Sequence, residues 1–258
     1  MSRTVLVTGA ASGIGKATAE LLAKQGTTVI GADVHDADIV ADLTTAQGRA
    51  SLVEQTRARS GGHLDAVLAI AGLALPTPAT VAVNFFGMVA TLDGLRPLLA
   101  GSPAPRAVGV SSMASLMDVD DDLVAAMLAG DEPAALARAA TLADTPDAQK
   151  IYASTKRAFA RWIRRSAPGE AWAGQGIPLN AVAPGVIRTP MVADLIGTPE
   201  GEAALKQVVP MPLNGFADAI VPAYLLAWLA SEENSHLCGQ VVFVDGGSDA
   251  VIRGDSTW

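Results

Sequence analysis

The hydrophobic positions of this chain fall into short, almost wholly apolar runs that are separated by longer helical stretches. The short runs predict strands, at residues 4–8, 28–33, 66–71, 106–111, 179–183 and 241–245. The longer stretches predict helices, near residues 14–25, 46–59, 81–100, 149–172 and 216–231. Apolar strands with helices between them indicate a parallel sheet that is covered on both faces. No repeat or low-complexity linker interrupts the pattern, so we expect an α/β fold: one doubly wound sheet in a single domain, residues 1–258.

Residues 118–145 interrupt this alternation ahead of the fourth helix. The stretch is acidic and rich in Ala and Leu, and it predicts two short helices separated by "GDEP", where Pro133 suits a helix start. Connections of this length are uncommon in compact domains unless they have a role. The insertion is therefore either a lid or an oligomer interface, or a solvated helical excursion.

Residues 66–92 carry no charge and resemble a membrane span in composition. Pro76, Pro78 and Asn84 argue against one continuous helix there. We expect a buried strand, a loop and the start of a buried helix.

The overall charge narrows the range of partners. Half of the residues are apolar and the formal net charge is −8. Nucleic-acid binding needs a basic surface, and an acidic surface also disfavours anionic membranes. The single cysteine, Cys238, excludes an internal disulfide framework and indicates a cytoplasmic protein, in which Cys238 is a small buried hydrophobe rather than a reactive thiol. His35, His63 and His236 are scattered and do not predict a metal site.

A glycine-rich turn follows the first strand and opens a helix. Gly9, Gly13 and Gly15 have the spacing G-x-x-x-G-x-G. Glycines let backbone N–H groups approach a pyrophosphate, and a helix N-terminus supplies partial positive charge. The turn predicts a dinucleotide site, although an ordinary tight turn would have the same composition.

Two carboxylates stand where strands are expected to end. Asp33 ends the second strand and can accept hydrogen bonds from the ribose hydroxyls of an adenosine, unless it is only a solvated strand-end residue. No Arg or Lys adjoins it, and Ser12 occupies the position in the turn where a cation could hold a 2′-phosphate, so NAD is favoured over NADP. Asp42 could reach the adenine, or it could be an N-cap or turn residue.

Tyr152 and Lys156 are four residues apart on a predicted helix and share one face. The motifs "TGAASGIG", "VSSMAS", "YASTK" and "VAPGVIRTP" occur in this order along the chain. Together they resemble the short-chain dehydrogenases/reductases, a family with a Rossmann-type fold. "DADIVADLTTAQGR", the insertion and "VFVDGGSDAVIR" resemble its bacterial 3α-hydroxysteroid dehydrogenase/carbonyl reductase branch.

The resemblance implies a set of catalytic residues. Tyr152 would be the general acid/base, and Lys156 would bind the nicotinamide ribose and lower the pKa of the phenol, as would the charge of the oxidised cofactor. Ser112 would hydrogen-bond the substrate oxygen, with Ser111 as the alternative. Asn84 would hold a water in a proton relay, although an Asn in an apolar helix is more often simply a satisfied polar residue.

The resemblance also implies the residues that bind NAD. They are Gly9, Ser12, Gly13, Ile14, Gly15, Asp33, Asp42, Leu43, Gly72, Tyr152, Lys156, Pro184, Gly185, Ile187 and Thr189. Residues 190–213 match the mobile substrate-binding loop, and their apolar content suggests a hydrophobic substrate, although they could equally be a surface loop.

Two departures from the family are visible. "AIAG" at residues 69–72 replaces a run of asparagines that braces the sheet, and Arg157 follows Lys156 in an unusually basic helix. Relatives use this helix in a tetramer interface; with the insertion present, a homodimer is favoured and a tetramer remains possible.

These observations favour an NAD-dependent oxidoreductase that interconverts a secondary alcohol and a ketone. A hydrophobic cyclic substrate, whether a steroid, a terpene or an aromatic alcohol, fits best. A dinucleotide-binding redox sensor without catalysis is the alternative, but it predicts loss of Tyr152 or Lys156. A sugar-nucleotide epimerase would usually need a larger C-terminal region.

Overall fold

A seven-stranded parallel sheet forms the centre of the protein, which a computed structural model describes over residues 2–256. Its strand order is β3-β2-β1-β4-β5-β6-β9, and a separate short sheet pairs β7 with β8. The strands are β1 (Thr4–Thr8), β2 (Thr28–Asp33), β3 (Ile39–Val40), β4 (Ala66–Ala69), β5 (Arg106–Val110), β6 (Leu179–Pro184), β7 (Ile187–Arg188), β8 (Ala217–Asp218) and β9 (Val241–Val244). The order runs outward in both directions from β1 and β4, which is the doubly wound arrangement, so the predicted fold class is confirmed.

Helices cover both faces of this sheet. They are α1 (Gly13–Lys24), α2 (Ala46–Arg59), α3 (Pro78–Val81), α4 (Met88–Leu99), α5 (Asp121–Leu128), α6 (Glu132–Ala143), α7 (Lys150–Ser166), α8 (Ala193–Ile196), α9 (Pro199–Val208), α10 (Ile220–Leu229) and α11 (Ser248–Arg253). The helix α1 packs against α10, and α2 packs against α4. Strand side chains such as Leu6, Val67 and Val182 are fully buried between these layers.

Several predicted boundaries differ from the structure. The helix expected at 149–172 ends at Ser166, ahead of Pro168 and Gly169, residue types that typically follow a helix end. The helix expected at 216–231 begins only at Ile220, because residues 217–218 form β8. The strands β7 and β8 have two residues each, which is too short for a periodic pattern, so the sequence does not predict the small sheet.

The uncharged stretch, residues 66–92, folds as expected into the buried strand β4, a loop and the start of a buried helical segment, Pro78–Leu99, although Asn84 lies within that segment and does not end it. Pro78 lies at the helix start, where its missing N–H costs nothing, and a π-helical segment, Ala82–Gly87, joins α3 to α4. By length and composition the segment could cross a membrane, but 67% of its most apolar window is buried inside the protein. It is a core helix.

The insertion folds as the two helices α5 and α6 that the sequence predicts, and an aspartate side chain caps the N-terminus of each. The carboxylate of Asp120 accepts a hydrogen bond from the Leu123 N–H, and that of Asp131 accepts one from the Ala134 N–H. The helix α5 packs on α7 and α6 packs on α3, while Leu142 and other apolar side chains join the main core. The insertion is therefore neither a solvated excursion nor a lid over the strand ends.

Candidate active site

A cavity of about 390 Å³ opens at the carboxyl ends of the sheet strands. This is where ligands bind in doubly wound folds, and the volume lies within the usual range for small-molecule sites. The residues that immediately follow or end the strands line it, namely Gly9, Asp33, Ile70, Ser111 and Pro184. The predicted site residues, with the exception of Asn84, all lie among its lining residues.

The glycine-rich turn forms one side of the cavity and opens α1. Gly13 has a φ of +51°, a backbone conformation that side chains disfavour. A Cβ on Gly15 would lie 2.0 Å from the Gly9 carbonyl oxygen, so only glycine fits there. The Ser12 side chain does not cap the first turn of α1, and the N–H groups at this helix start can therefore bind an anionic group.

Asp33 is held rigidly at the far end of the cavity. Its two carboxylate oxygens accept hydrogen bonds from the backbone N–H groups of Ala11, at 2.9 Å, and Val34, at 2.7 Å. Among the described residues that line the cavity, His35 and Lys156 are the only ones that can carry a positive charge. This end of the cavity offers a carboxylate, which can accept hydrogen bonds from ribose hydroxyls and repels a 2′-phosphate, and it offers no arginine or lysine.

Asp42 is a turn residue at the edge of the cavity, and its contact with an adenine stays a prediction. It lines the cavity, and its Oδ1 accepts hydrogen bonds from the Thr44 N–H, at 2.9 Å, and the Thr44 hydroxyl, at 2.7 Å. The hydrogen bond from the Thr44 hydroxyl is the main reason that the pKa of Asp42 is lowered. The N-cap of α2 is Thr45, not Asp42, and Leu43 is buried against the cavity.

Tyr152 and Lys156 project from one face of α7 into the cavity. The Lys156 Nζ lies 5.6 Å from the centroid of the Tyr152 ring and donates a hydrogen bond to the Val110 carbonyl oxygen, at 3.0 Å. Burial of this ammonium group lowers the pKa of Lys156 to about 8. The helical spacing therefore places the two groups side by side, as predicted.

The pKa of Tyr152 differs from the sequence-based expectation. Burial raises the pKa of the Tyr152 phenol, and a hydrogen bond with the Ser112 side chain lowers it less than burial raises it. In the protein alone, desolvation outweighs any effect of the Lys156 cation, whose ammonium hydrogen-bonds to Val110. A positive charge that entered the cavity beside the phenol would act against this rise in the pKa of Tyr152.

The two neighbouring serines are clearly distinguished. Ser111 is 1% exposed and donates its hydroxyl to the Lys156 carbonyl oxygen, at 3.0 Å. The Ser112 Oγ accepts a hydrogen bond from the Ala114 N–H, at 3.1 Å, so its own O–H remains available to donate beside Tyr152. This geometry favours Ser112 over Ser111 as the group that contacts a substrate oxygen.

Asn84 is fully buried in the π-helical segment behind the cavity wall. Its Nδ2 donates to the Leu73 carbonyl oxygen, at 2.8 Å, and to the Thr155 hydroxyl, at 3.2 Å, while its Oδ1 accepts from the Leu73 N–H, at 2.7 Å. Both amide hydrogens are used, so the side chain braces the chain beside Gly72 and cannot donate to a water. The Oδ1 atom still has a second lone pair with which to accept a hydrogen bond from a water, so the relay role that the resemblance implied stays a prediction.

The turn after β6 completes the opposite wall. The Gly185 N–H donates to the Val244 carbonyl oxygen, at 3.0 Å, and the Thr189 hydroxyl donates to the Ile187 carbonyl oxygen, at 3.2 Å. Thr189 also reaches over the glycine turn, where its Cγ2 would lie 3.2 Å from a Cβ on Gly13. The segment that follows contributes Pro190, Met191 and Val192 to the cavity.

Known proteins share this architecture. A family model described as enoyl-(acyl carrier protein) reductase matches residues 9–249. The chain belongs to the short-chain dehydrogenase/reductase family. The family resemblance seen in the ordered motifs is therefore confirmed.

Individual members of the family match nearly the whole chain. It is 34% identical to a 3-alpha-hydroxysteroid dehydrogenase/carbonyl reductase of Comamonas testosteroni, with 96% of this chain and 97% of that protein covered. It is 32% identical to a cis-4-hydroxycyclohexanecarboxylate dehydrogenase of Sinomonas cyclohexanicum, at 96% and 97% coverage. The crystal structure of the 3-alpha-hydroxysteroid dehydrogenase from Pseudomonas sp. B-0831 complexed with NADH superposes with a TM-score of 0.87 at 40% identity, covering 98% of this chain and 99% of that one.

Two residues near this short-chain dehydrogenase/reductase site were not assigned from sequence. The Thr8 hydroxyl accepts hydrogen bonds from the N–H groups of Ile70, at 3.0 Å, and Ala71, at 3.1 Å, and so braces the strand end where the asparagines are missing. Arg157 donates to the carbonyl oxygens of Ser115 and of Met117, the latter at 2.8 Å, and clamps the chain after Ser112 onto α7. A cation directly after Lys156 is the signal that the sequence offers for Arg157, but the basic character of the helix points to assembly instead.

Proposed function

We propose that this protein is an NAD-dependent dehydrogenase/ketoreductase that interconverts a secondary alcohol and a ketone on a hydrophobic cyclic skeleton. The observation that carries the proposal is the convergence of Tyr152, Ser112 and Lys156 on a cavity whose other end offers the glycine turn and Asp33. Family membership supports the reaction class. The names of two relatives, a 3-alpha-hydroxysteroid dehydrogenase/carbonyl reductase and a cis-4-hydroxycyclohexanecarboxylate dehydrogenase, support a cyclic substrate.

The cavity fits a nicotinamide dinucleotide. Backbone N–H groups of the turn from Gly9 to Gly15 would hold the pyrophosphate, Asp33 the adenosine ribose and Lys156 the nicotinamide ribose. Asp42 and Leu43 would contact the adenine, and Ile187 with Thr189 would contact the carboxamide. When bound, NAD⁺ supplies a hydride acceptor, and its reduced form supplies a hydride donor.

Three side chains would handle the substrate oxygen. Ser112, whose side chain hydrogen-bonds with Tyr152, would donate its hydroxyl to that oxygen and so position it beside the phenol. In the oxidation direction Tyr152, as tyrosinate, takes the alcohol proton; in reduction the phenol gives a proton to the ketone oxygen. The positive charge of the oxidised nicotinamide would act together with the Lys156 cation to favour the tyrosinate, because burial by itself raises the pKa of the phenol.

An absorbance assay of NAD⁺ with a panel of cyclic secondary alcohols tests the proposal. We expect NADH to appear with some members of the panel, and we expect Tyr152→Phe to lower kcat by about 10²–10⁴-fold while it still binds NADH. Binding of NADH without turnover over a broad panel, with Tyr152→Phe equal to the wild type, would instead support a redox sensor. Tighter binding of NADP⁺ than of NAD⁺ would refute the role of Asp33.

The proposal includes a cytoplasmic homodimer. The helix α5 packs along α7, the helix that relatives use in tetramers, so that surface is occupied within the chain. The helix α10 instead exposes Val221, Tyr224 and Trp228. A monomeric mass in light scattering would contradict the dimer.

A further inference from the structure

A buried arginine, Arg49, connects three parts of the protein behind the cavity. It lies on α2 and is 8% exposed. Its Nε donates to the Leu43 carbonyl oxygen, at 2.8 Å, and its Nη2 donates to the Ala82 carbonyl oxygen, at 3.2 Å. The planar guanidinium therefore joins the loop at residues 42–44 to the start of the π-helical segment.

The remaining edge of the same guanidinium is bound by the insertion. Arg49 Nη1 and Nη2 donate to the two carboxylate oxygens of Glu132, at 2.8 and 2.6 Å. Glu132 is the first residue of α6, and its side chain is 29% exposed. Two parallel charge-assisted hydrogen bonds fix the plane of the guanidinium as well as its position, which a lysine could not do.

The loop that Arg49 holds lines the adenosine end of the cavity. Asp42, Leu43 and Thr44 all face it. From the other side Leu43 packs on the π-helical segment, where a Cβ on Gly87 would lie 3.1 Å from the Leu43 Cβ. The loop therefore has little freedom as long as Arg49 stays in place, and Glu132 is the only carboxylate that contacts Arg49 within residues 2–256.

We propose that Glu132 and Arg49 are positioning residues for the adenosine end of the cofactor site, and that the insertion thereby contributes to cofactor affinity. The inference rests on the proposed function, because it takes a nicotinamide dinucleotide as the ligand. Loss of the Glu132 charge leaves a buried cation without the carboxylate that contacts it, and the guanidinium then moves toward water and away from Leu43. The loop at residues 42–44 then loses its hydrogen bond from Arg49, while Tyr152 and Ser112 keep their own hydrogen-bond partners.

Binding measurements on two variants test the inference. Glu132→Gln removes the negative charge of the carboxylate. Arg49→Lys keeps the positive charge at position 49 but removes the planar guanidinium that makes two parallel hydrogen bonds. Both should weaken binding of NADH, followed by fluorescence, and of AMP, followed by calorimetry, by about three- to thirtyfold and by the same factor for the two ligands. In turnover the effect should fall on KM for NAD⁺ rather than on kcat, since the loop contacts only the adenosine half.

Arg138→Lys is the matched control. Arg138 forms an equally short bidentate pair with Asp120 inside the insertion, at 3.0 and 2.5 Å, and neither residue lines the cavity. This variant should bind NADH and AMP as the wild type does, which separates positioning from a general loosening of α5 and α6.

The outcomes distinguish the inference from the proposed function. If the wild type, Glu132→Gln and Arg49→Lys all bind NADH and AMP equally well, the inference is wrong and the proposed function stands. An equal loss of affinity in Arg138→Lys overturns it too, because the effect would then be general destabilisation. A wild type that binds neither ligand overturns the proposed function and, with it, the inference. Should Glu132→Gln fail to fold, Arg49→Lys decides alone.

Discussion

The two walls of the cavity are built differently. The strand-end wall carries the glycine turn, Asp33 and the pair Tyr152 and Lys156, and it rests on the main hydrophobic core. The substrate wall is the segment 190–213, whose short helices α8 and α9 rest on a small separate cluster around Met113 and Met211. Leu195, Val208 and Leu213 on this second wall are 57%, 58% and 67% exposed.

The difference matches what each wall would have to do. Proton transfer and phosphate binding need donors and acceptors that are held in place before the ligand arrives, and hydrogen bonds fix Asp33, Lys156 and Ser112. Recognition of an apolar skeleton needs apolar contact area rather than hydrogen-bond donors and acceptors in fixed positions. A wall with few buried contacts opens at a low free-energy cost, which suits the entry and release of a substrate.

The largest effect should come from Gly15→Ala on the strand-end wall. The added Cβ would lie 2.0 Å from the Gly9 carbonyl oxygen and 3.1 Å from that of Thr8, so the backbone of the turn must move. We expect the free energy of unfolding to fall by about 3 kcal/mol or more, and NADH binding to be lost with the shape of the turn.

Gly101→Ala is the control for this variant. A Cβ at Gly101 would meet only the His63 Nδ1, at 3.5 Å, which is an ordinary contact. Denaturant unfolding and fluorescence titration of both variants check the prediction. Normal NADH binding by Gly15→Ala would show that the strand-end wall is as adaptable as the substrate wall.

The pH dependence of stability probes the rigidity of the same wall at Lys156. Burial lowers the pKa of Lys156 to about 8, whereas an unfolded chain has a lysine pKa of about 10.4. Between these values the unfolded state binds the proton and the folded state does not, so stability rises with pH. Relative to Lys156→Met, the wild type should gain up to about 3 kcal/mol of stability from pH 8 to pH 10.5.

Thermal unfolding of the two proteins at several pH values measures this difference. Between pH 5 and pH 7 the difference should stay constant, because Lys156 is charged in both the folded and the unfolded state. A difference that is equally flat from pH 8 to pH 10 would mean that water reaches Lys156, and that the strand-end wall is open.

The sequence predicted the strand-end wall better than the substrate wall, for physical reasons. Strands buried on both faces are nearly all apolar, and a glycine turn or an i, i+4 pair such as Tyr152 and Lys156 reveals its geometry through local spacing. The contact between Arg49 and Glu132 joins residues 83 positions apart, and no local pattern records it. The short strands β7 and β8 and the π-helical segment around Asn84 depend likewise on tertiary packing.

The smallest expected effect is that of Met191→Ala on the substrate wall. Met191 lines the cavity and is 47% exposed, so its removal costs little packing within the protein. It does remove apolar area from a bulky cyclic substrate, which we expect to lower kcat/KM by about fivefold without a change in NADH affinity or melting temperature. For a small acyclic alcohol the loss should shrink, because such a substrate would not reach this wall.

Val208→Ala is the matched control for Met191→Ala. Val208 belongs to the same segment and is 58% exposed, but it does not line the cavity. In steady-state kinetics, kcat/KM should therefore differ between the two variants for a bulky alcohol and be the same for a small one. Equal kinetics for both variants would mean that this part of the segment does not contact the substrate. A fall in NADH affinity in Met191→Ala would instead mean that the two walls are mechanically coupled, since Thr189 lies between Met191 and the glycine turn.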